Sequence, residues 1–245
     1  GFVAEGVARL PVLSNLSDSR IVDGVQPGGP FPVRSQLAFY HQESTARIER
    51  LTFSHYGYVG GNIYSRLSVG YLERMFAGIS GELLWQPVDS RVGLGLEVNH
   101  VWRRDFDGGF GLQDYSVTTG HVSAYFPIWG EFTGQVDVGR YLAGDWGATV
   151  RVDREFDNGW RVGAFATLTD VSFEEFGEGS FDKGIEIVVP MSWFTGVASR
   201  NDRTATLRPV QRDGGARLSV DGRLHDLVTD YHRSNLADTE GLIWR

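Results

Sequence analysis

A run of alternating apolar and polar residues between Ile63 and Phe106 constrains the fold more than any other part of the sequence. Its apolar members near the middle alternate with glycine, glutamate and asparagine; they are Leu94, Leu96 and Val98. A period of two places successive side chains on opposite faces of a β-strand. Because Pro87-Val88-Asp89-Ser90 has the composition of a turn, residues 78–86 and 91–104 are predicted to form an antiparallel hairpin.

The two faces of this hairpin differ strongly in polarity. One face is aliphatic with aromatic residues near the strand ends, and the other carries Gly, Ser, Glu, Asn and Arg. Strands of about ten residues with this pattern suit the wall of a membrane β-barrel, with lipid outside and a wet lumen inside. An antiparallel sheet with one face on a soluble core gives the same alternation. The hairpin alone leaves both interpretations open.

Composition narrows the class of protein. The chain has 32 Gly, 15 Phe, 9 Tyr and 7 Trp in 245 residues, which favours curved strands over a helical bundle. We find no apolar run near the roughly 18 residues that a membrane-spanning helix requires. The absence of Cys excludes disulfides and thiolate chemistry. The net charge of −8 argues against nucleic acid as a partner.

The chain is predicted to have three regions. Residues 1–33 contain an N-terminal strand and a Gly- and Pro-rich loop, residues 34–228 contain the remaining strands, and residues 229–245 form a polar tail. Besides the hairpin, the central region has predicted strands at 34–42, 48–58, 113–128, 131–141, 148–156, 160–168, 183–189 and 214–228. A change of phase near Gly120 predicts a bulge there, and residues 195–211 are predicted to be basic and irregular.

Common catalytic spacings are missing from the sequence. It contains no G-x-S-x-G elbow, no H-E-x-x-H, no phosphate-binding loop and no EF-hand loop. The six His residues are not paired at the spacing of metal ligands. We therefore expect no enzymatic activity, no metal and no cofactor.

An acidic stretch at residues 173–184 is the most distinctive polar segment. It is either a carboxylate cluster that binds sugar hydroxyls or Ca²⁺ or acts as a glycosidase acid/base pair, or a solvated turn between two strands. We favour the turn, because runs of charge usually mark solvated loops. Residues 200–212 are rich in Arg and also allow two interpretations. They either contact an anionic polymer or lipopolysaccharide, or they form a solvated loop, which is the default.

Four segments resemble one known family. They are RLSVGYLERMFAG (66–78), YSVTTGHVSAY (115–125), VGRYLAGDWGAT (138–149) and EEFGEGSFDKGI (174–185). In order and spacing they are similar to the YjbH-like family of outer-membrane proteins linked to exopolysaccharide production. The resemblance implies a Gram-negative outer-membrane β-barrel, encoded with polysaccharide-export genes and without established catalytic residues. Because family members are considerably longer, this chain resembles their C-terminal portion only.

We therefore predict an all-β fold: an antiparallel up-and-down transmembrane β-barrel, or the C-terminal part of one. The predicted function is a non-enzymatic role in exopolysaccharide production or secretion at the bacterial outer membrane. The expected partners are outer-membrane lipid, the exopolysaccharide and other polysaccharide-export proteins. The alternatives are a carbohydrate-active enzyme that uses the carboxylates of residues 174–182 and a soluble β-sandwich module that binds carbohydrate. The candidate polysaccharide-contacting residues are Glu174, Glu175, Glu178, Asp182, Arg140 and Arg151.

The alternation also predicts which side chains face lipid. The outward set is Leu94, Leu96, Val98, Val136, Val138, Val150, Val152, Val162 and Ala164. The inward set is Glu97, Asn99, Gln135, Asp137, Arg151 and Asp153. An Arg that faces lipid at the bilayer midplane costs about 2–4 kcal/mol, so the charged set must point into the lumen. Within that wet lumen, Arg151 is expected to pair with Asp137, and Asn99→Arg is expected to be tolerated.

Overall fold

The computed structural model describes residues 1–10, 31–42, 47–156, 158–171, 181–191, 202–208 and 213–230. Within these residues, eleven strands form one antiparallel sheet in which every strand pairs with its neighbours in the sequence. The strands are β1 Phe2–Arg9, β2 Arg47–Gly60, β3 Ile63–Tyr71, β4 Phe76–Trp85, β5 Gly93–Arg104, β6 Leu112–Trp129, β7 Phe132–Arg140, β8 Trp146–Glu155, β9 Arg161–Thr169, β10 Asp182–Pro190 and β11 Asp202–Leu207.

Helical structure is sparse in the described part of the chain. It consists of a 3-10 turn at Ser35–Ala38, the single-turn helix α1 at Phe39–Gln42, and the helix α2 at Leu224–Asp230. None of the helices in the described residues has the length and apolar character needed to cross a membrane. The predicted all-β, antiparallel architecture is confirmed, as an open sheet with β1 at one edge and β11 at the other.

The hairpin predicted from the alternating run is present as β4 and β5. Glu82 lies opposite Glu97, and Leu83 lies opposite Leu96. The pairing places two carboxylates side by side on one face and two leucines on the other. Two like charges directly opposite each other are destabilising unless cations compensate them. The pairing thus requires cationic side chains on the same face of the sheet.

Two predicted strands are wrong and one strand was missed. In the predicted strand at 34–42, residues 35–42 are helical, and Tyr40 is buried with its hydroxyl donating to the Arg104 carbonyl at 2.6 Å. The predicted strand at 214–228 does not join the sheet: residues 214–223 run across one face, and residues 224–228 belong to α2. Within the segment predicted to be irregular, Asp202–Leu207 forms β11 and pairs with β10.

The predicted bulge near Gly120 is also absent. Gly120 is in regular register with Val98 on one side and with Arg140 on the other. The apolar residues change faces along β6 while the backbone stays regular: Tyr115 and Val117 pack inside, whereas Val122 is exposed outside. The register shifts in the pairing of β6 with its two neighbours lie between Trp102 and Arg104 on β5 and between Pro127 and Trp129 on β6 itself.

The two faces of the sheet are divided as predicted. On the outer face, Leu94, Leu96, Val98, Val138, Val150, Val152, Val162 and Ala164 are exposed, and Val136 is half-buried. On the inner face, Glu97, Asn99, Asp137 and Asp153 are buried, while Gln135 and Arg151 are half-buried. The fold therefore buries its charges and exposes its aliphatic side chains, which is the reverse of an ordinary soluble sheet.

An apolar cluster fills one end of the inner face. Its buried members are Val33, Tyr40, Leu72, Met75, Phe76, Val101, Val117, Leu142, Ala216, Leu218 and Val220. We call this group the end cluster. Three of its members come from residues 213–224, which we call the inner segment because it follows the last strand and lies against the inner face. The end cluster therefore fixes the inner segment inside the curve of the sheet.

Candidate functional site

The inner segment alternates between an apolar and a charged environment. Ala216, Leu218 and Val220 join the end cluster, whereas Arg217 and Arg223 reach carboxylates on the strands. This division explains why the sequence alternates here without forming a strand. The alternation serves two surroundings on either side of an extended chain, rather than the two faces of a sheet.

Glu97, at the middle of β5, is the centre of the charged contacts. Arg223 donates from Nε to Glu97 Oε2 at 2.8 Å and from Nη2 to Oε1 at 3.3 Å. Arg217 Nη2 lies 3.6 Å from Oε1, and Asn99 Nδ2 donates to the same oxygen at 3.1 Å. Only 2% of Glu97 is exposed, so these donors replace the water that a carboxylate normally binds.

Two further carboxylates complete this network. Asp137 on β7 binds Arg217 Nη1 at 3.0 Å and accepts hydrogen bonds from Ser123 and Gln135. Glu82 on β4 binds Arg66 Nε at 2.9 Å and accepts the backbone N–H of Leu224, the first residue of α2, at 3.1 Å. Glu82, Glu97 and Asp137 thus face Arg66, Arg217 and Arg223, three charges of each sign. This balance removes the cost of a buried unpaired charge.

Electrostatics in the network favour the charged form of both guanidinium groups of the inner segment. Burial alone would lower the pKa of Arg223, but the Glu97 carboxylate and its hydrogen bonds outweigh that effect and raise it. The pKa of Arg217 is raised in the same way, with Glu97 and Asp137 opposing the effects of burial and of neighbouring Arg223. Both side chains therefore remain cationic.

The start of the inner segment is bound to loops at the end of the sheet. Asp213 accepts hydrogen bonds from the Ser35 backbone N–H at 3.0 Å and from the Ser35 hydroxyl at 2.7 Å. The Gly215 N–H donates to Asp145 Oδ2 at 2.7 Å. Burial raises the pKa of Asp145, and the Gly215 N–H only partly offsets that rise. This end of the segment is thus held by a carboxyl group that is costly to ionise.

A large cavity remains beside the inner segment. It has a volume of about 1330 Å³ and lies between the inner faces of β6–β11 and the inner segment with α2. Arg151 crosses its wall, donating to Asp153 Oδ2 at 2.7 Å and also binding Glu186 on β10. Arg208 Nη2 binds Asp182 Oδ2 at 3.2 Å. The cavity wall therefore carries paired charges, as the network around Glu97 does.

The sequence-predicted site residues fall in three places. Arg151 and Asp182 line the cavity. Arg140 does not line it; its Nε donates to the Gly144 carbonyl at 3.0 Å within the β7–β8 loop. Glu174, Glu175 and Glu178 lie outside the described residues. The structure thus brings two of the candidates together in one cavity.

The expected pair between Arg151 and Asp137 is wrong. Arg151 forms ion pairs with Asp153 and Glu186, whereas Asp137 forms its ion pair with Arg217 of the inner segment. Asn99 is also not in a wet lumen; only 1% of it is exposed, and its amide donates to Thr119 and Glu97. Because the sequence predicts a strand at 214–228, it predicts nothing that would fill this part of the inner face.

Sequence reasoning also missed Arg217 and Arg223 as functional candidates. Their one local signal is the placement of Arg between apolar residues, as in Ala216-Arg217-Leu218. Their partners lie far away in the sequence, so no spacing rule identifies them. The described residues contain no group of three or more His, Cys, Asp or Glu able to hold a metal ion.

Fold and inner face together define a class: an all-β protein whose antiparallel sheet exposes aliphatic residues and buries a charged network. The chain belongs to the YjbH family, described as "Exopolysaccharide biosynthesis protein YbjH", whose model matches residues 1–230. The predicted family resemblance is therefore confirmed.

One relative is the "Uncharacterized lipoprotein YjbH" of Escherichia coli (strain K12). It is 37% identical to this chain over 203 residues, which are 81% of this chain and 29% of the relative. The chain thus spans less than a third of the length of the curated relative that it matches. No solved structure matches it.

Proposed function

We propose that the chain forms part of the wall of a non-enzymatic β-barrel in the bacterial outer membrane, and that this protein takes part in exopolysaccharide production or secretion. The observation that carries the proposal is the inverted polarity of the sheet. Leu67 and Val98 are about half exposed on the outer face, at 55% and 51%, whereas Arg66 and Glu97 are buried on the inner face. A lipid environment makes this arrangement favourable.

The spread of exposed aliphatic residues over the outer face supports contact with lipid. Exposed aliphatic residues occur on the outer face of every strand from β2 to β9, for example Leu51, Val69, Ile79 and Leu168. The largest apolar patch on a typical soluble monomer covers about 300–600 Å², and larger ones mark contact with membrane or protein. Hydrocarbon on this face would remove the cost of hydrating it.

Exposed aromatic residues at the strand ends support the same proposal. Tyr58, Trp85 and Trp129 lie at or near the ends of β2, β4 and β6, which are the same edge of an antiparallel meander. Phe110 and Trp146 lie at the opposite edge, beside the starts of β6 and β8. Aromatic residues at both edges of an apolar band are typical of the two interfaces of a membrane-spanning sheet.

Closure of this barrel requires a further strand. In an antiparallel meander the direction alternates, so β1 and β11 run the same way and their direct pairing would be parallel. Single-chain bacterial barrels are antiparallel with an even number of strands. We therefore infer that at least one more strand, supplied from outside the described residues, lies between β1 and β11.

The polysaccharide role rests on the family. The family description names exopolysaccharide biosynthesis, and the E. coli relative is named a lipoprotein. A lipid-modified relative fits an envelope location, and a polar inner face fits contact with a hydrated polymer. The proposed partners are accordingly membrane lipid, exopolysaccharide and other export proteins.

Location and role are tested separately in the producing bacterium. The complete native protein should fractionate with the outer membrane and be released by detergent but not by high salt. Recovery in the soluble periplasm would refute the barrel. Deletion of the gene should lower the amount of secreted polymer, and the complete gene should restore it. Unchanged secretion on deletion would refute the polysaccharide role alone.

A further inference from the structure

The cavity beside the inner segment contains groups that a barrel wall does not need. A wall requires only that its inner face be polar. Here the guanidinium of Arg208 lies 4.8 Å from the centre of the Phe165 ring, and the Tyr125 ring stacks on His225 of α2 at 3.6 Å. All four residues line the cavity. Aromatic and charged side chains therefore lie together in the wall of a space large enough for a ligand.

The charges on the cavity wall are already paired with one another. Arg151 is bound to Asp153 and Glu186, and Arg208 is bound to Asp182. An anionic ligand would have to compete with these carboxylates for their guanidinium groups, and a cationic ligand would have to compete with the guanidinium groups for the same carboxylates. The described lining contains eight Asp or Glu and six Arg, so it would also repel a polyanion.

Paired charges still have capacity for neutral hydrogen-bonding groups. A carboxylate offers about four acceptor positions and a guanidinium five N–H donors, so one ion pair leaves several of them unused. A sugar hydroxyl both donates and accepts, and it can therefore bind to either member of a pair without an added charge. Phe165, which is half-buried at the cavity wall, supplies apolar surface for the C–H groups of a sugar ring.

We propose that this cavity binds a segment of an uncharged, hydroxyl-rich glycan, with Arg151 and Glu186, whose side chains remain about one-fifth exposed, as hydrogen-bonding contacts and Phe165 as an apolar contact. This inference rests on the proposed function and assigns its polymer a chemical class. The volume of about 1330 Å³ exceeds the roughly 300–1,000 Å³ of ordinary small-molecule sites. The space therefore suits several sugar units with bridging water.

Calorimetry on the complete protein tests this assignment, in a detergent without a sugar headgroup. The probes are maltoheptaose as the neutral glycan, an oligogalacturonate of equal length as the anionic one, and a chitosan oligomer as the cationic one. Maltoheptaose should bind more tightly than both charged probes. Glu186→Gln should weaken its binding about tenfold, as expected for loss of one hydrogen bond to a charged group.

Bulky substitutions provide a matched pair. Thr206→Trp places a large ring in the cavity and should abolish maltoheptaose binding, whereas Leu168→Trp on the outer face should leave it within twofold. If Thr206→Trp does not fold, Thr133→Trp, on another wall of the cavity, replaces it. Tighter binding of a charged probe, no binding of maltoheptaose, or equal binding by the Thr206 and Leu168 variants would overturn the inference.

Fractionation of the same variants separates the two proposals. A protein that remains in the outer membrane but binds no maltoheptaose refutes only the glycan class. A protein found in the soluble fraction refutes the barrel itself, whatever it binds.

Discussion

Arg223 in the inner segment and Glu97 in the middle of β5 form a two-contact ion pair, at 2.8 and 3.3 Å, across 126 positions of sequence. The carboxylate is almost fully enclosed, so the pair forms where water does not weaken it. The contact fixes the inner segment to the strand that carries the clearest outward apolar pattern. It thereby ties the contents of the inner face to the wall.

Breaking this ion pair should destabilise the protein far more than breaking a surface pair. We expect Arg223→Met to lower the free energy of unfolding by about 3 kcal/mol or more, since Glu97 is left buried with fewer donors. The control is the exposed pair of Arg154 and Glu131 at 3.0 Å, where Arg154→Met should cost less than about 1 kcal/mol. Urea unfolding of the complete protein in micelles measures both. Equal losses would contradict the network's role.

The buried carboxyl of Asp145 predicts a pH effect of definite sign. Because its pKa is raised in the folded protein, the folded state holds the proton more tightly, and this group's contribution to stability falls as pH rises above the ordinary Asp value of 3.8. Asp145→Asn removes that fall and retains an acceptor for the Gly215 N–H. Each unit by which the pKa of Asp145 is higher in the folded than in the unfolded protein lowers the free energy of unfolding at neutral pH by about 1.4 kcal/mol.

The measurement for Asp145 is the unfolding free energy of parent and Asn variant at pH 4 and pH 7. The variant should gain relative to the parent between the two values. A relative loss on going to pH 7 would show that ionised Asp145 stabilises the fold, contrary to the burial argument.

Two glycines on different strands of the sheet, Gly139 on β7 and Gly81 on β4, should respond differently to the same substitution. A Cβ at Gly139 would lie 1.9 Å from the Gly120 carbonyl oxygen, so Gly139→Ala must push β6 and β7 apart. A Cβ at Gly81 would meet only the Val98 carbonyl oxygen, at 3.9 Å. We expect a loss of about 1–3 kcal/mol for Gly139→Ala and little change or a small gain for Gly81→Ala. The midpoints of urea unfolding of the two variants measure these changes. An unchanged midpoint for Gly139→Ala would contradict the close approach of β7 to the Gly120 carbonyl.

Much of the wall was predictable because its signal is local. The alternation of Leu94 to Asn99 gave the β4–β5 hairpin and the outward and inward sets, since one strand carries both halves of the pattern. By contrast, Asp202–Leu207 has only one large apolar residue, Leu207, and becomes a strand through pairing with β10. A strand specified by its neighbour leaves little trace in its own sequence.

The inner segment could not be predicted for a related reason. Leu218 and Val220 alternate with polar residues as a strand would, but their partners are the end cluster on one side and carboxylates on the other. Alternation with a period of two indicates that an extended chain lies between two different environments. It does not indicate that the chain is hydrogen-bonded in a sheet. The candidate site was therefore found only in part, through Arg151 and Asp182.

The missing strand makes a prediction about the two edges of the sheet. β1 and β11 are the two edge strands of the sheet. In an edge strand, every second backbone amide forms a hydrogen bond to the single neighbouring strand, and the other amides have no partner in the sheet. If a further strand closes the barrel, nearly all amides of Phe2–Arg9 and Asp202–Leu207 should be protected from hydrogen exchange in the complete protein. Fast exchange at every second amide of both strands would show that the sheet stays open.

The most direct test of the membrane-facing wall is the accessibility of spin labels in lipid vesicles. The chain contains no Cys, so single Cys residues can be labelled at Leu96 and Val138 on the outer face and at Thr133 in the cavity, given a complete protein made free of other Cys. We expect labels at positions 96 and 138 to collide more often with oxygen, which dissolves in lipid, than with a water-soluble nickel chelate, and we expect the reverse for the label at position 133. Labels at 96 and 138 that collide with the nickel chelate as often as the label at 133 would contradict a lipid-facing wall.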